Sequence, residues 1–118
     1  MENAFKSVGI SFERSPIEVR EKLALNESEV KQLLTFIRDF TAATDVLVVS
    51  TCNRTEIYYN NHDNLAEQII KGLCLIKQAD YSQVISFFFS VKDSNEAVKR
   101  LFNISIGLEA QVIGDLQI

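Results

Sequence analysis

The chain has 118 residues, 47% of them hydrophobic and 24% charged, which suits one compact domain and is a globular composition and not that of a disordered chain. A net charge of −4 argues against a module built mainly to grip a phosphate backbone, although it leaves contact with one end of an RNA open. No basic-then-apolar leader opens the sequence and no apolar run has the length of a membrane span, so a cytoplasmic protein with no membrane partner is the simplest expectation.

In chain order, Val8, Ile10 and Phe12 alternate with smaller or polar residues and predict a half-buried strand. Ser15-Pro16-Ile17-Glu18 predicts a helix start with Ser15 as the cap, the helix covering about 16–24 and burying Ile17 and Leu23. Asn26-Glu27-Ser28-Glu29 repeats the signature ahead of Val30, Leu33, Leu34, Ile37 and Phe40, which share one helical face. Two strands follow at 46–50 and 56–60, the first apolar on consecutive positions as in a strand covered on both faces. Leu65, Ala66, Ile69, Ile70, Leu73 and Ile76 mark a helix over about 64–78, with Cys74 on its apolar side. Val84 to Val91, with Phe87-Phe88-Phe89, reads as the last strand. Asp93 or Ser94 then caps a helix burying Ala97, Val98, Leu101 and Phe102, with Gly107 as its C-cap. Residues 107–118 read as the start of one more helix, so the expected domain is 1–106 and the chain is expected to be a piece of a longer protein. The order βαββαβ with extra C-terminal helices predicts an α+β ferredoxin-like sandwich, its sheet antiparallel and its helices on one face.

The chemistry concentrates in Ser50-Thr51-Cys52-Asn53-Arg54-Thr55-Glu56, a polar turn between two strands. A thiol at such a turn stands on a rigid base and can meet a substrate. Taken alone, Cys52 is also compatible with an ordinary structural thiol, the role that the pattern gives Cys74. Arg54 could depress the thiol's pKa or simply pair with Glu56. Arg100 reads by default as a solvated helix residue, and His62, the sole histidine, as a surface residue of a polar turn. One histidine and two distant cysteines make no metal-ligand set, and the four glycines form no nucleotide cradle.

This turn motif closely resembles that of glutamyl-tRNA reductase. Val8-Gly9-Ile10 with Ser15-Pro16-Ile17-Glu18-Val19-Arg20-Glu21 resembles the family's opening strand and helix. Leu101-Phe102, Gly107-Leu108-Glu109 and Gly114-Asp115-Leu116-Gln117-Ile118 resemble a later segment. The resemblance covers nearly the whole chain and only the family's N-terminal catalytic domain. It implies reduction of glutamyl-tRNA to glutamate-1-semialdehyde, the first committed step of tetrapyrrole synthesis. Cys52 would be the nucleophile that forms a thioester, and NADPH, bound by a domain absent from this chain, the hydride donor. It further implies substrate binding by Thr51, Asn53, Arg54, Asp115 and Gln117, a homodimer when full length, and a downstream aminomutase as a further partner. Arg100 stands where the family has a histidine assigned to proton transfer. The alternatives are a divergent, non-catalytic binding or regulatory module on the same scaffold and, third, a thiol redox sensor at Cys52.

Overall fold

A computed structural model describes residues 4–106 and 112–116, with Ile106 and 112–116 as backbone only. The elements are β1 (Phe5–Ser11), α1 (Ile17–Leu23), α2 (Glu27–Phe40), β2 (Thr44–Ser50), β3 (Arg54–Asn60), α3 (Ala66–Lys77), α4 (Tyr81–Val84), a 3₁₀ turn (Ile85–Phe87), β4 (Phe89–Val91), α5 (Ser94–Ile106) and β5 (Val112–Leu116). Among the described residues the strands form one sheet in the order β4-β1-β3-β2-β5, every neighbouring pair antiparallel. The protein is thus mixed α and β on an antiparallel sheet, as expected.

The two faces of the sheet differ in chemistry because side chains alternate along each strand. Val8, Ile10, Val48, Ile57 and Tyr59 project to one face, where they form the main core with Leu23, Val30, Leu33, Ile37, Ile69 and Leu73 from α1, α2 and α3. The other face carries Ser7, Gly9, Val49, Glu56 and Tyr58, all paired in register on β1, β2 and β3. Glu56 and Tyr58 have no solvent exposure, and Arg100 of α5 bonds the carboxylate of Glu56. Helix α5 therefore lies on this second face, which corrects the expectation of helices on one face only. The small and polar residues of that row look solvated in sequence, yet they are the floor of a second layer.

The N-cap of α2 forms as read: the Asn26 side chain accepts from Glu29 N–H at 2.8 Å while Glu29 accepts from Asn26 N–H at 2.9 Å. The cap expected at Ser15 does not form, because its hydroxyl donates to Ser11 O at 2.6 Å and closes the turn leaving β1; Pro16 is the N-cap instead. Of the residues read as core, Ile17, Phe40, Val98 and Phe102 are exposed. The strand expected over 84–91 shrinks to Phe89–Val91. Asp80 accepts from Ser82 N–H and Oγ–H and starts α4, and the 3₁₀ turn takes the chain as far as Phe87. The stretch expected to open a helix after residue 107 is β5 over Val112–Leu116, with Val112 opposite Ser50 and Leu116 opposite Val46. The outer edge of β2 offers a full ladder of hydrogen bonds, the β-branched Val112 and Ile113 suit a strand, and Gly114 weakens a helix. Gly107 and Gln117, read as a cap and a binding residue, lie outside the described residues. No helix among those described is long and apolar enough to cross a membrane.

Candidate active site

The turn between β2 and β3 is pinned at its base. Ser50 and Thr55 face each other in register, and their hydroxyls lie 3.1 Å apart. Ser50 Oγ accepts from Leu25 N–H at 2.9 Å, and Thr55 Oγ1 donates to Leu23 O at 3.3 Å. A chain running Leu25 N–H to Ser50, Ser50 to Thr55, and Thr55 to Leu23 O uses each proton once, so the hairpin end is tied to the segment joining α1 and α2. Above it, Thr51 N–H donates to Arg54 O at 2.8 Å, and Thr51 Oγ1 accepts from Asn53 N–H at 3.1 Å. Thr51 thereby shapes the turn. Cys52 and Asn53 stand exposed at its tip, while Cys74 is buried on α3. Burial, followed by the charge of Asp80, pushes the Cys74 thiol above its ordinary value.

Cys52 and Thr51 border an open cleft of about 290 Å³ between the turn and α1, lined also by Ile17, Arg20, Glu21 and Leu25. Arg54 is not among its lining residues. As neighbours but one on β3, Arg54 and Glu56 share the face opposite Thr55. Arg54 Nη1 donates to Glu56 Oε2 at 2.9 Å, and its guanidinium lies 5.7 Å from the Phe12 ring centre. Glu56 also binds Arg100 through Nε to Oε1 at 3.0 Å and Nη2 to Oε2 at 2.9 Å, and Tyr58 Oη donates to Oε1 at 2.7 Å. The guanidinium of Arg100 lies 4.0 Å from the Phe89 ring centre. Burial works against the charge of Arg100, but the hydrogen bonds and charge of Glu56 prevail and hold its pKa above the ordinary value. Burial, then the neighbouring carboxylate, raises the Tyr58 phenol far above its usual range, so it is a donor at all working pH.

Of the sequence-predicted residues, Thr51, Cys52, Asn53 and Arg54 therefore come together on one turn, with Arg54 turned to the opposite sheet face from the cleft. Arg100 is not the solvated residue expected, because Gly9 lies beside Glu56 in register and leaves room for its side chain to reach α5. Asp115 occupies the β5 position opposite Leu47, about 10 Å along the sheet from the Ser50 pair. Sequence reasoning gave Ser50 and Thr55 no role of their own, and it read Glu56 only as a possible partner of Arg54, a pair that does form, and not as the buried centre of a cluster. The available signal was that all three are polar residues in strands on either side of a nucleophile, where each buried polar atom needs a partner. The described residues include no cluster of three metal-ligating side chains.

Residues 8–118 match the family model described as glutamyl-tRNAGlu reductase, N-terminal domain. The chain is 41% identical to a glutamyl-tRNA reductase of Cytophaga hutchinsonii, across 97% of this chain and 27% of that protein. It is 38% identical to one from Aquifex aeolicus, across 93% of this chain and 27% of that one. A solved structure titled glutamyl-tRNA reductase from Methanopyrus kandleri superimposes with a TM-score of 0.65 at 24% identity, covering 93% of this chain and 24% of that chain, which is a likeness of fold. The chain spans about a quarter of the length of these relatives. With nearly every residue matched to one family model, and with the motif's cysteine open at an anchored turn, the chain belongs to the glutamyl-tRNA reductase N-terminal domain family.

Proposed function

We propose that this chain is the acyl-accepting part of a glutamyl-tRNA reductase in tetrapyrrole biosynthesis, with Cys52 as the catalytic nucleophile. The observation that carries the reading is the exposed Cys52 on a hairpin end whose base is held by the Ser50–Thr55 hydroxyl pair. The Cys52 thiolate attacks the ester carbonyl of the glutamyl group, and the tetrahedral adduct collapses with departure of the terminal ribose oxygen of the tRNA, which takes up a proton. A thioester remains on Sγ. Thr51 keeps the turn in shape, Asn53 offers an exposed amide, and Arg54 offers the rest of its planar fork to a carboxylate of the substrate. Asp115 and Gln117 are assigned to substrate binding by the motif alone.

Reduction of the thioester to glutamate-1-semialdehyde requires a hydride donor, NADPH in this reading. The described residues do not fit a dinucleotide. A Cβ at Gly9 would strike the backbone of Thr55 and Glu56, and one at Gly72 the Phe36 ring, so these glycines serve close packing and not phosphate approach. In this reading NADPH is held by residues outside these 118, and homodimer formation and contact with a downstream aminomutase belong to the full-length protein. The strand order β4-β1-β3-β2 and the βαββαβ succession support a ferredoxin-like sandwich, with β5 added at the β2 edge.

The test uses the full-length protein, glutamyl-tRNA and NADPH. Cys52→Ser abolishes thioester formation and semialdehyde release while thermal unfolding stays within a few degrees of wild type. Arg54→Lys lowers kcat/KM by about tenfold or more, because one ammonium cannot replace a planar fork. Full activity of Cys52→Ser would overturn the reading. The second reading, a non-catalytic binding module, draws on the engagement of Arg100 with Glu56, and it predicts glutamyl-tRNA binding without acyl transfer in the same assay.

A further inference from the structure

Glu56 is a buried carboxylate whose acceptor capacity is full. A carboxylate has about four lone-pair sites. Here Oε1 accepts from Arg100 Nε and Tyr58 Oη, and Oε2 accepts from Arg100 Nη2 and Arg54 Nη1. Arg100 alone fills two of the four, one on each oxygen, and its ring contact with Phe89 holds it over the pair. Arg54 is consequently limited to one bond with Glu56, although an arginine and a carboxylate otherwise prefer two parallel bonds. Arg54 is also largely buried, with 16% of its side chain exposed, and it lies within reach of both Glu56 oxygens.

We propose that Arg100 is a positioning residue for substrate binding: by saturating Glu56 it prevents Arg54 from closing on that carboxylate in a two-bond pair and so leaves part of the Arg54 fork for the carboxylate of an incoming acyl group. Arg100 acts from α5, through Glu56, on an arginine of the β2–β3 turn, and it touches neither the reacting carbon nor the thiol. Removing it frees two acceptor sites, and Arg54 rotates to fill them. Gly9 is what permits the arrangement, since Glu56 reaches Arg100 across its Cα, with the Glu56 Cγ 3.1 Å from where a Cβ would stand. The proposal rests on the function proposed above, in which Arg54 receives a substrate carboxylate.

The test is a double-mutant cycle in the full-length protein with Arg100→Met, Arg54→Ala and the pair. The first readout is acyl transfer from glutamyl-tRNA to Cys52 at varied substrate concentration. Arg100→Met raises the half-saturating concentration about fivefold or more with a smaller change in maximal rate, and in the Arg54→Ala background it adds less than about twofold. Arg100→Lys, which keeps a cation but not the fork, shows the same coupling and stands in where Arg100→Met fails to fold. The second readout needs no enzymatic activity: the ratio of iodoacetate to iodoacetamide alkylation rates at Cys52 falls with Arg100→Met only while Arg54 is present. Equal losses in both backgrounds, or an effect confined to maximal rate with a displaced pH profile, overturn the proposal. If wild type forms no thioester, the proposed function fails, and the alkylation cycle still decides the coupling of Arg100 to Arg54.

Discussion

The two cysteines differ by position and not by type. Cys52 belongs to a polar turn with no packing role, whereas Cys74 is one of the apolar residues by which α3 meets the core and is 4% exposed. That difference was legible in sequence, since one thiol interrupts a hydrophilic run and the other continues a helical apolar stripe. Because burial raises the pKa of Cys74, its thiolate is scarce at neutral pH as well as shielded. Iodoacetamide at pH 7.5 therefore modifies Cys52 at least about tenfold faster than Cys74 in native protein, with the two rates converging in denaturant. Peptide mapping by mass spectrometry reads both rates, and equal native rates would contradict the assignment. The arginines were less legible. Whether Arg54 and Arg100 face solvent, substrate or Glu56 depends on a contact between positions 56 and 100, and on an absent Cβ at position 9, neither of which any local pattern encodes.

At the scale of elements, local rules worked where the local partners were free to obey them. Asn26 and Glu29 cap each other because Lys77, the other partner of Glu29, leaves the bond to Asn26 N–H intact, whereas Ser15 is claimed by Ser11 O. Periodicity located α2, α3 and α5 and gave the buried face of α3, but it overestimated those of α2 and α5, where Phe40, Val98 and Phe102 are exposed. The β5 segment was illegible, as its hydrogen-bond ladder is supplied entirely by β2. Two predictions belong here. Gly9→Ala inserts a methyl group against the backbone of β3, which cannot yield as a side chain would, and it destabilises by about 3 kcal/mol or more in urea unfolding. A change below about 0.5 kcal/mol would mean that β1 and β3 are not in this register.

The second concerns Glu29, which both caps α2 and binds Lys77 of α3 at 2.9 Å. Burial alone would raise its pKa, but the Asn26 N–H bond and the Lys77 ammonium outweigh it, and the folded value lies below the ordinary 4.5. A depressed folded pKa stabilises fully above the unfolded value, and the stabilisation is lost as pH falls through the folded value. The stability difference between wild type and Lys77→Met, about 0.5–1 kcal/mol, therefore holds from pH 7 to 5.5 and shrinks below pH ~4.5. Urea unfolding at four pH values measures it, and a difference that grows on acidification would contradict the pairing.

For the molecule as a whole, the sheet serves two layers with different tasks. The α1–α3 face holds the apolar core and anchors the hairpin base through Leu23 and Leu25, and the α5 face holds a buried ionic cluster behind the same hairpin. The turn carrying Cys52 is thus fixed from both sides while its tip stays open. Sequence reasoning reached this turn because the motif is contiguous, and it missed the second layer because the residues that build it lie on four separate elements. The most direct test of the central claim is to mix full-length protein with labelled glutamyl-tRNA in the absence of reductant, quench in acid, and map the adduct. The account predicts one glutamyl group, released by hydroxylamine, on the peptide containing Cys52 and none on that containing Cys74. Deacylation of the tRNA with no adduct at Cys52, or with the adduct elsewhere, would contradict it.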